Sequence, residues 1–197
     1  MNTEPRPPLI LASTSAYRRA LLGRLGIEFE CVSPATDETQ LPGETPPDLA
    51  VRLARLKAES VAARRPDAVV VGSDQVALLG EQVLGKPGTV ERCIEQLRHS
   101  SGREVLFLTA VHVIGPRGAK VESHVDRTTV RFRALDDGEL ERYVSAESPL
   151  DCAGGFKAES LGISLFERIR SDDPTGLTGL PLIWLCGALR RAGIPVP

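Results

Sequence analysis

The residues of this chain that could carry out chemistry are polar groups that follow predicted strands or open predicted helices. They are Ser13, Arg18, Glu38, Lys57, Asp74 and Lys86. The set contains two carboxylates, which could hold a divalent metal ion, and three cations, which could hold a polyphosphate. No member decides a function alone, but together they are typical of metal-assisted hydrolysis of a phosphate anhydride.

The element that must position Asp74 is the stretch D-A-V-V-V-G-S-D-Q, residues 67–75. Its valine run predicts a short strand that is buried on both faces of an α/β sheet. Gly72 is expected to end this strand, so that Asp74 follows at its carboxyl end, where open α/β sheets bind ligands. Alternatively Asp74 only caps a turn, because Gly-Ser-Asp is common turn chemistry.

The element that must position Ser13 and Arg18 is a strand, residues 9–12, followed by a polar turn and a helix that is expected to end at Gly26. Ser13 or Ser15 would cap this helix, and its N-terminus would offer free N–H groups to a phosphate. A cation such as Arg18 is unfavourable in a first turn unless an anion lies beside it. The alternative is a solvated surface arginine.

Three further members of the set occupy a loop, a helix and a turn. Glu38 lies in a loop rich in proline and threonine, where acids are usually solvated. Lys57 flanks the buried face of a helix predicted over residues 46–64, so it could snorkel to solvent or reach into a cleft. Lys86 follows a hairpin predicted over residues 76–84, in a G-K-P sequence that differs from the phosphate-binding loop motif.

The rest of the chain predicts further strands and helices, without repeats or linkers. The expected elements are a helix between Thr89 and Gly102, strands over residues 103–114 and 121–132, a helix over residues 136–146, a closely packed glycine-rich loop over residues 151–162, a strand over residues 163–169 and a helix that begins at Pro181. We therefore expect a single domain over residues 1–197, with residues 1–8 as a loose tail.

Composition limits the function classes. The chain has 197 residues, of which 42% are hydrophobic and 25% charged, and a net charge of −2, which argues against general nucleic-acid binding. Its longest apolar stretch is too short to span a bilayer, and it lacks a signal-peptide pattern, so we expect a cytoplasmic protein. The four cysteines and three histidines are scattered. A metal would therefore be held by carboxylates and phosphates, which favours Mg²⁺ or Mn²⁺.

Several motifs, taken in order, resemble the Maf-like family of nucleotide pyrophosphatases. They are L-I-L-A-S-T-S-A-Y-R-R, D-E-T, R-L-A-R-L-K-A, V-V-G-S-D-Q, G-K-P and L-T-G-L-P-L. G-S-D-Q and C-A-G-G-F-K-A-E resemble the 7-methyl-GTP pyrophosphatase subfamily, whereas the dTTP/UTP branch carries threonine after the aspartate. The chain departs from the family where Tyr17 replaces an expected tryptophan and Ser160 an expected glycine. Both positions concern the base that is preferred.

The resemblance implies a Maf/ITPase-like α/β fold, with a twisted mixed sheet, helices on both sides, two lobes with a central cleft, and a homodimer. It implies a house-cleaning hydrolase, acting on acid anhydrides, that converts 7-methyl-GTP to 7-methyl-GMP and diphosphate with Mg²⁺ or Mn²⁺. Asp74 would accept the proton, and Glu38 and Asp74 would hold the metal. Ser13, Arg18, Lys57 and Lys86 would bind the phosphates, and Tyr17, Gln75 and Glu159 would select the base.

Two alternatives remain open at this point. The first is a pyrophosphatase for other modified or non-standard triphosphates. The second is a non-catalytic nucleotide-binding regulator of cell division. The intact set of acids and cations argues against the regulator, because a protein that only binds nucleotide has little need for Asp74.

Overall fold

A computed structural model describes residues 6–197. The described residues form strands β1 (Leu9–Leu11), β2 (Glu30–Cys31), β3 (Val69–Leu79), β4 (Gln82–Leu84), β5 (Glu104–Ile114), β6 (Glu122–Phe132) and β7 (Phe166–Arg170). They also form helices α1 (Ala16–Gly23), α2 (Pro46–Ala62), α3 (Val90–Ser100), α4 (Asp137–Glu147) and α5 (Leu182–Arg191). No helix in this part of the chain is long and apolar enough to cross a membrane.

The strands form one seven-stranded sheet in the order β2-β1-β3-β5-β6-β7, with β4 paired to β3. Strand β1 runs parallel to β2 and to β3, whereas β4 is antiparallel to β3 and β7 is antiparallel to β6. The predicted α/β fold on a mixed sheet is therefore confirmed.

The chain divides into two compact units, which are described separately. The first comprises residues up to 74, 109–125 and 179–197, and the second comprises residues 75–108 and 126–178. Strands β3, β5 and β6 each contribute residues to both units. The loose tail predicted over residues 1–8 falls largely outside the described residues, although the Pro8 carbonyl accepts a hydrogen bond from Val69 N at 2.8 Å.

The first unit buries both faces of its parallel strands. Leu9 and Leu11 of β1 pack in one apolar cluster with Leu185 of α5. Ile10, on the opposite face of the same strand, packs in a second cluster with Ala58 of α2. Because successive side chains of a strand point to opposite faces, a strand that is covered on both sides needs a continuous apolar run. On β3, Val69 and Val71 belong to the first cluster and Val70 to the second, so the prediction of a doubly buried strand over these valines is confirmed.

The prediction that Gly72 ends the central strand is wrong. Strand β3 continues without interruption to Leu79, so Asp74 lies inside it. The reason is the packing of helix α2, because a Cβ atom on residue 72 would overlap the carbonyl oxygen of Ala54 and the backbone nitrogen of Ala58. Glycine at this position allows the helix to approach closely and does not terminate the strand.

The second unit is organised around an aromatic cluster. Phe156, from the glycine-rich loop, makes edge-to-face contacts with Phe107, Phe132 and Phe166 at centroid distances of 5.4, 5.6 and 4.8 Å. The turn before Phe156 needs glycine at residue 154, whose φ is +84°. The predicted close packing of this loop is therefore confirmed.

Several predicted boundaries differ from the structure. Helix α1 ends at Gly23, before Gly26, because the backbone N–H groups of Leu25 and Gly26 bond three residues back in a tightened turn. The last strand begins only at Phe166, because Leu161–Leu165 wind into a 3₁₀-helix. Pro181 is the N-cap of α5 and not its first residue.

Strand β7 lies at one end of the sheet and is rich in arginine. Arg168 is directly opposite Arg131 of β6, and Arg170 is opposite Thr129. Glu104 and Glu167 lie 3.4 and 3.5 Å from the guanidinium groups of Arg168 and Arg131. The three arginines at this end of the sheet therefore share two neighbouring glutamates and leave a net positive charge.

Candidate active site

Ser13 and Ser15 form the turn between β1 and α1. The Ser15 side chain accepts a hydrogen bond from Arg18 N at 3.4 Å and caps the helix. Ser13 Oγ accepts from Ser15 N at 3.1 Å, and Ser13 is buried. Leu11 of β1 pairs with Val71 of the parallel strand β3, so Ser13 follows β1 at the level of the sheet where Asp74 lies on β3.

The centre of the site is the ammonium group of Lys57. Lys57 Nζ donates to Asp74 Oδ1 at 2.7 Å and lies 2.7 Å from Glu38 Oε1. Lys57 is 5% exposed and Asp74 is 8% exposed, whereas the Glu38 side chain is 59% exposed. Lys57 therefore does not snorkel to solvent, and the predicted alternative, that it reaches inward, is the arrangement that the structure has.

The loop that carries Glu38 is anchored on both sides of that residue. Asp37 Oδ1 accepts from Thr39 N at 2.9 Å, which forms a local turn. Arg52 of α2 donates to the Thr39 carbonyl at 3.0 Å and to both carboxylate oxygens of Glu44. Hydrogen bonding to Arg52 lowers the pKa of Glu44. Helix α2 thus supplies both Lys57 and the arginine that fixes the loop beside it.

Arg18 of α1 lies within electrostatic range of the same carboxylates. Burial lowers the pKa of its guanidinium group, and the negative charges of Asp74 and Glu38 oppose that effect. Its Nε atom donates to the Gly179 carbonyl at 3.0 Å. Arg18 is therefore not a solvated surface arginine, and the prediction that a bound anion lies beside it stays a prediction. Tyr17, which precedes it, is half-buried in α1.

Two residues of this region, Ser73 and Gly179, were missed as candidates. Ser73 Oγ lies 3.0 Å from the Gly179 carbonyl and 2.8 Å from the Ala110 carbonyl, so the serine joins β3 to the L-T-G-L-P segment. Gly179 has a φ of +112°, and a Cβ there would lie 3.4 Å from Arg18 Nε. Ser73 lies in the G-S-D motif and Gly179 in the L-T-G-L-P motif, but nothing in the sequence indicates that these two motifs are in contact.

The carboxylates fit a hard divalent cation in part. Glu38 and Asp74 converge on one point, and both offer oxygen atoms, which Mg²⁺ and Mn²⁺ prefer. Residues 6–197 contain no group of three or more His, Cys, Asp or Glu side chains arranged to hold a metal. A metal at this position would therefore need further oxygen ligands from water or from a substrate phosphate.

Three predicted site residues belong to the second unit. The side-chain amide of Gln75 donates to the carbonyls of Gly176 and Leu177 at 3.1 and 3.0 Å, so its NH2 group is engaged within the second unit. Lys86 is exposed after β4, and Glu159 is exposed within the glycine-rich loop.

A buried polar cluster supports the segment that holds Gln75, and sequence analysis missed it. The Thr128 hydroxyl lies 3.1 Å from Asp126 Oδ2 and 2.9 Å from Ser171 Oγ. Ser171 donates to the Asp173 carbonyl at 2.7 Å, and Thr175 Oγ1 donates to Asp173 Oδ1 at 2.6 Å. This cluster fixes the turn that precedes the two carbonyls bonded to Gln75.

Residues 8–192 match the model of a family described as "Maf-like protein". The chain belongs to the Maf family. Among its Maf relatives, a protein of Xanthomonas campestris pv. campestris (strain 8004) named "7-methyl-GTP pyrophosphatase" is 57% identical over 97% of this chain and 99% of the relative. Proteins with the same name from Xanthomonas axonopodis pv. citri and Aromatoleum aromaticum are 58% and 53% identical. They match 97% and 96% of this Maf chain, and 100% and 97% of their own lengths.

A solved structure described as the Staphylococcus aureus Ham1 protein matches 66% of this chain and 72% of its own, with a TM-score of 0.43 and 21% identity.

Proposed function

We propose that this Maf-family protein is a 7-methyl-GTP pyrophosphatase, which cleaves the bond between the α and β phosphates and releases 7-methyl-GMP and diphosphate. The observation that carries this proposal is the group of Glu38, Lys57 and Asp74, in which two carboxylates meet on one buried ammonium. Hydrolysis of a phosphate anhydride needs carboxylates to hold a metal ion or accept a proton, and cations to neutralise the phosphate charge, close to one another. The full-length relatives that are 53–58% identical carry this enzyme name.

Asp74 acts as the general base in this proposal. Its carboxylate is held by Lys57 Nζ at 2.7 Å, which fixes the orientation of the oxygen atoms while the second oxygen can take a proton from water. Mg²⁺ or Mn²⁺ held by Glu38 and Asp74 would lower the pKa of water and neutralise phosphate charge. Arg18, Lys57 and Lys86 bind phosphate oxygens, together with Ser13 at the helix N-terminus.

Tyr17, Gln75 and Glu159 select the base in this proposal. Methylation at N7 makes guanine cationic at neutral pH. A cationic ring gains about 0.5–2 kcal/mol from stacking on an aromatic face, which Tyr17 offers. Glu159 accepts N–H bonds from the guanine edge and balances the positive charge of the ring.

The decisive experiment measures diphosphate release from 7-methyl-GTP, GTP, dTTP, UTP, CTP and ITP with Mg²⁺ or Mn²⁺. We expect a preference for 7-methyl-GTP and a loss of about 10²–10⁴-fold in kcat for Asp74→Asn. Asp37→Asn is the matched control, because Asp37 lies in the loop of Glu38 and its carboxylate accepts a hydrogen bond from Thr39 N. Diphosphate release from another triphosphate would support the proposed hydrolysis but contradict the proposed substrate. No release from any of the six triphosphates would contradict the proposal that the protein is a pyrophosphatase.

The resemblance also supports a homodimer in the cytoplasm, which we include in the proposal. Sedimentation equilibrium of the purified protein would test the dimer, and cell fractionation would test the location. A monomer at all concentrations would contradict the first of these statements and leave the chemistry of Asp74 untouched.

A further inference from the structure

The ammonium group of Lys57 occupies the position that a cation shared by the two carboxylates would take. Its Nζ lies 2.7 Å from an oxygen of Glu38 and 2.7 Å from an oxygen of Asp74. Without a positive charge at this point the two carboxylates would repel each other. Lys57 therefore serves as their counter-ion.

A divalent cation and this ammonium cannot share the position. The side chain of Lys57 is 7% exposed, and the negative charges of Asp74 and Glu38 already act on the guanidinium of Arg18. A metal ion that entered between the carboxylates would face the repulsion of both cations in a poorly solvated place. Two carboxylates alone also leave most of the ligand positions of Mg²⁺ or Mn²⁺ to be filled by other oxygens.

The phosphates of a nucleotide would remove both obstacles. Their oxygens attract the Lys57 ammonium away from the carboxylates, and they also provide the missing metal ligands. The close approach of α2 to β3 at Gly72 fixes the backbone of the helix, so a displacement of the ammonium group would have to come from the lysine side chain alone.

We propose that Lys57 keeps the divalent cation out of the site until a nucleotide arrives, so that metal and nucleotide bind together. This inference rests on the proposed function, since it takes a triphosphate as the ligand. It gives Lys57 two roles in sequence, first as counter-ion of Glu38 and Asp74 and then as a phosphate ligand.

The first test measures Mn²⁺ binding to the nucleotide-free protein by the electron paramagnetic resonance of free Mn²⁺. We expect Lys57→Met to bind Mn²⁺ about tenfold or more tightly than the unmodified protein. Lys57→Arg, which keeps the positive charge, should bind Mn²⁺ as weakly as the wild-type protein does. Equal Mn²⁺ affinity of the unmodified protein and a folded Lys57→Met would overturn the inference.

The second test needs no variant and covers the case in which Lys57→Met does not fold. It measures calorimetric binding of a 7-methyl-GTP analogue, with a methylene group between the α and β phosphorus atoms, to the wild-type protein. We expect saturating Mn²⁺ to tighten this binding about tenfold or more compared with a chelator. Tight Mn²⁺ binding without nucleotide, or analogue binding that ignores Mn²⁺, would overturn the inference.

Diphosphate release measured on the same preparation separates the two levels of the proposal. Hydrolysis together with tight nucleotide-free Mn²⁺ binding overturns the role of Lys57 and leaves the enzyme standing. If no triphosphate is hydrolysed, the proposed pyrophosphatase activity is contradicted, whatever result the Mn²⁺ measurements give.

Discussion

Gly72 and Ala54 lie so close together that a methyl group on residue 72 would overlap the Ala54 carbonyl oxygen. This contact sets the spacing between α2 and β3. Lys57 follows Ala54 by one helical turn, and Asp74 follows Gly72 by two residues on the strand. The short distance between helix and strand thus allows the lysine ammonium to reach the aspartate carboxylate at 2.7 Å.

Gly72→Ala should therefore damage both stability and activity. The added methyl group forces helix and strand apart, and overpacking of this kind costs about 1–3 kcal/mol. Urea denaturation measures the free energy of unfolding, and a diphosphate-release assay measures kcat. Gly23→Ala is the matched control, because a Cβ at residue 23 meets no atom within 4 Å, and it should not destabilise the protein. An unchanged unfolding free energy for Gly72→Ala would refute the role given to this contact.

Thr128→Val should weaken the support of the segment that holds Gln75. Valine has nearly the same shape but removes the hydroxyl that lies against Asp126 and Ser171, and an unsatisfied buried polar group costs about 1–3 kcal/mol. We expect the ratio of kcat/KM for 7-methyl-GTP over UTP to fall by about tenfold, because small displacements of positioning groups are costly. Thr129→Val, on the other face of β6, is the control. A lower stability with unchanged base selectivity would limit Thr128 to a structural role.

Glu159→Gln should lower kcat/KM for 7-methyl-GTP more than it lowers kcat/KM for GTP. The glutamine keeps hydrogen-bonding capacity but loses the negative charge that balances the methylated ring. Glu159 is exposed, so we expect an extra loss of only about two- to fivefold in kcat/KM for the methylated substrate. Glu141→Gln, an exposed acid of α4, is the control. Equal losses for GTP and 7-methyl-GTP would exclude the charge-balancing role.

His112 should make the folded state sensitive to acid. Burial lowers the pKa of this histidine below its ordinary value of 6.5, while Glu59 and Arg55 of α2 act on it in opposite directions. In acid the unfolded chain therefore binds a proton that the native imidazole, placed 2.7 Å from Ser123 Oγ, does not. The stability contributed by the neutral imidazole is present above pH 6.5 and is lost as the pH falls through the lowered folded pKa.

The measurement is the free energy of unfolding in urea at about pH 7.5 and at about pH 5.5, either side of the ordinary histidine pKa. His112→Gln should lose part of the acid sensitivity of the unmodified protein. His99→Gln, at an exposed position, should keep it. An identical pH dependence for all three proteins would show that His112 contributes nothing to it.

Most of the elements could be predicted from periodicity and caps. Thr89 caps α3, and the hairpin over residues 76–84 forms between β3 and β4. The error at Gly72 has a general cause, because a glycine after a valine run looks the same whether it ends a strand or admits a helix. Only the position of α2 distinguishes these two cases, and that position is set by tertiary packing.

The site was predictable as a set of residues but not as a geometry. Lys57, Glu38 and Asp74 could be chosen by residue type and by resemblance, yet no sequence rule places one ammonium between two carboxylates separated by loop, helix and strand. The cluster around Thr128 was missed for a related reason. Its members come from two distant segments of chain, and threonine and serine are too common for their types to indicate burial.

The arginines of β7 oppose the association of two copies of the chain through this end strand. An end strand offers unpaired backbone groups that invite another strand to join it, which is the first step of fibril growth. Two copies joining through β7 would bring Arg168 and Arg170 of each chain against those of the other, on a strand already facing Arg131. We expect this repulsion to disfavour polymerisation of the concentrated protein through β7.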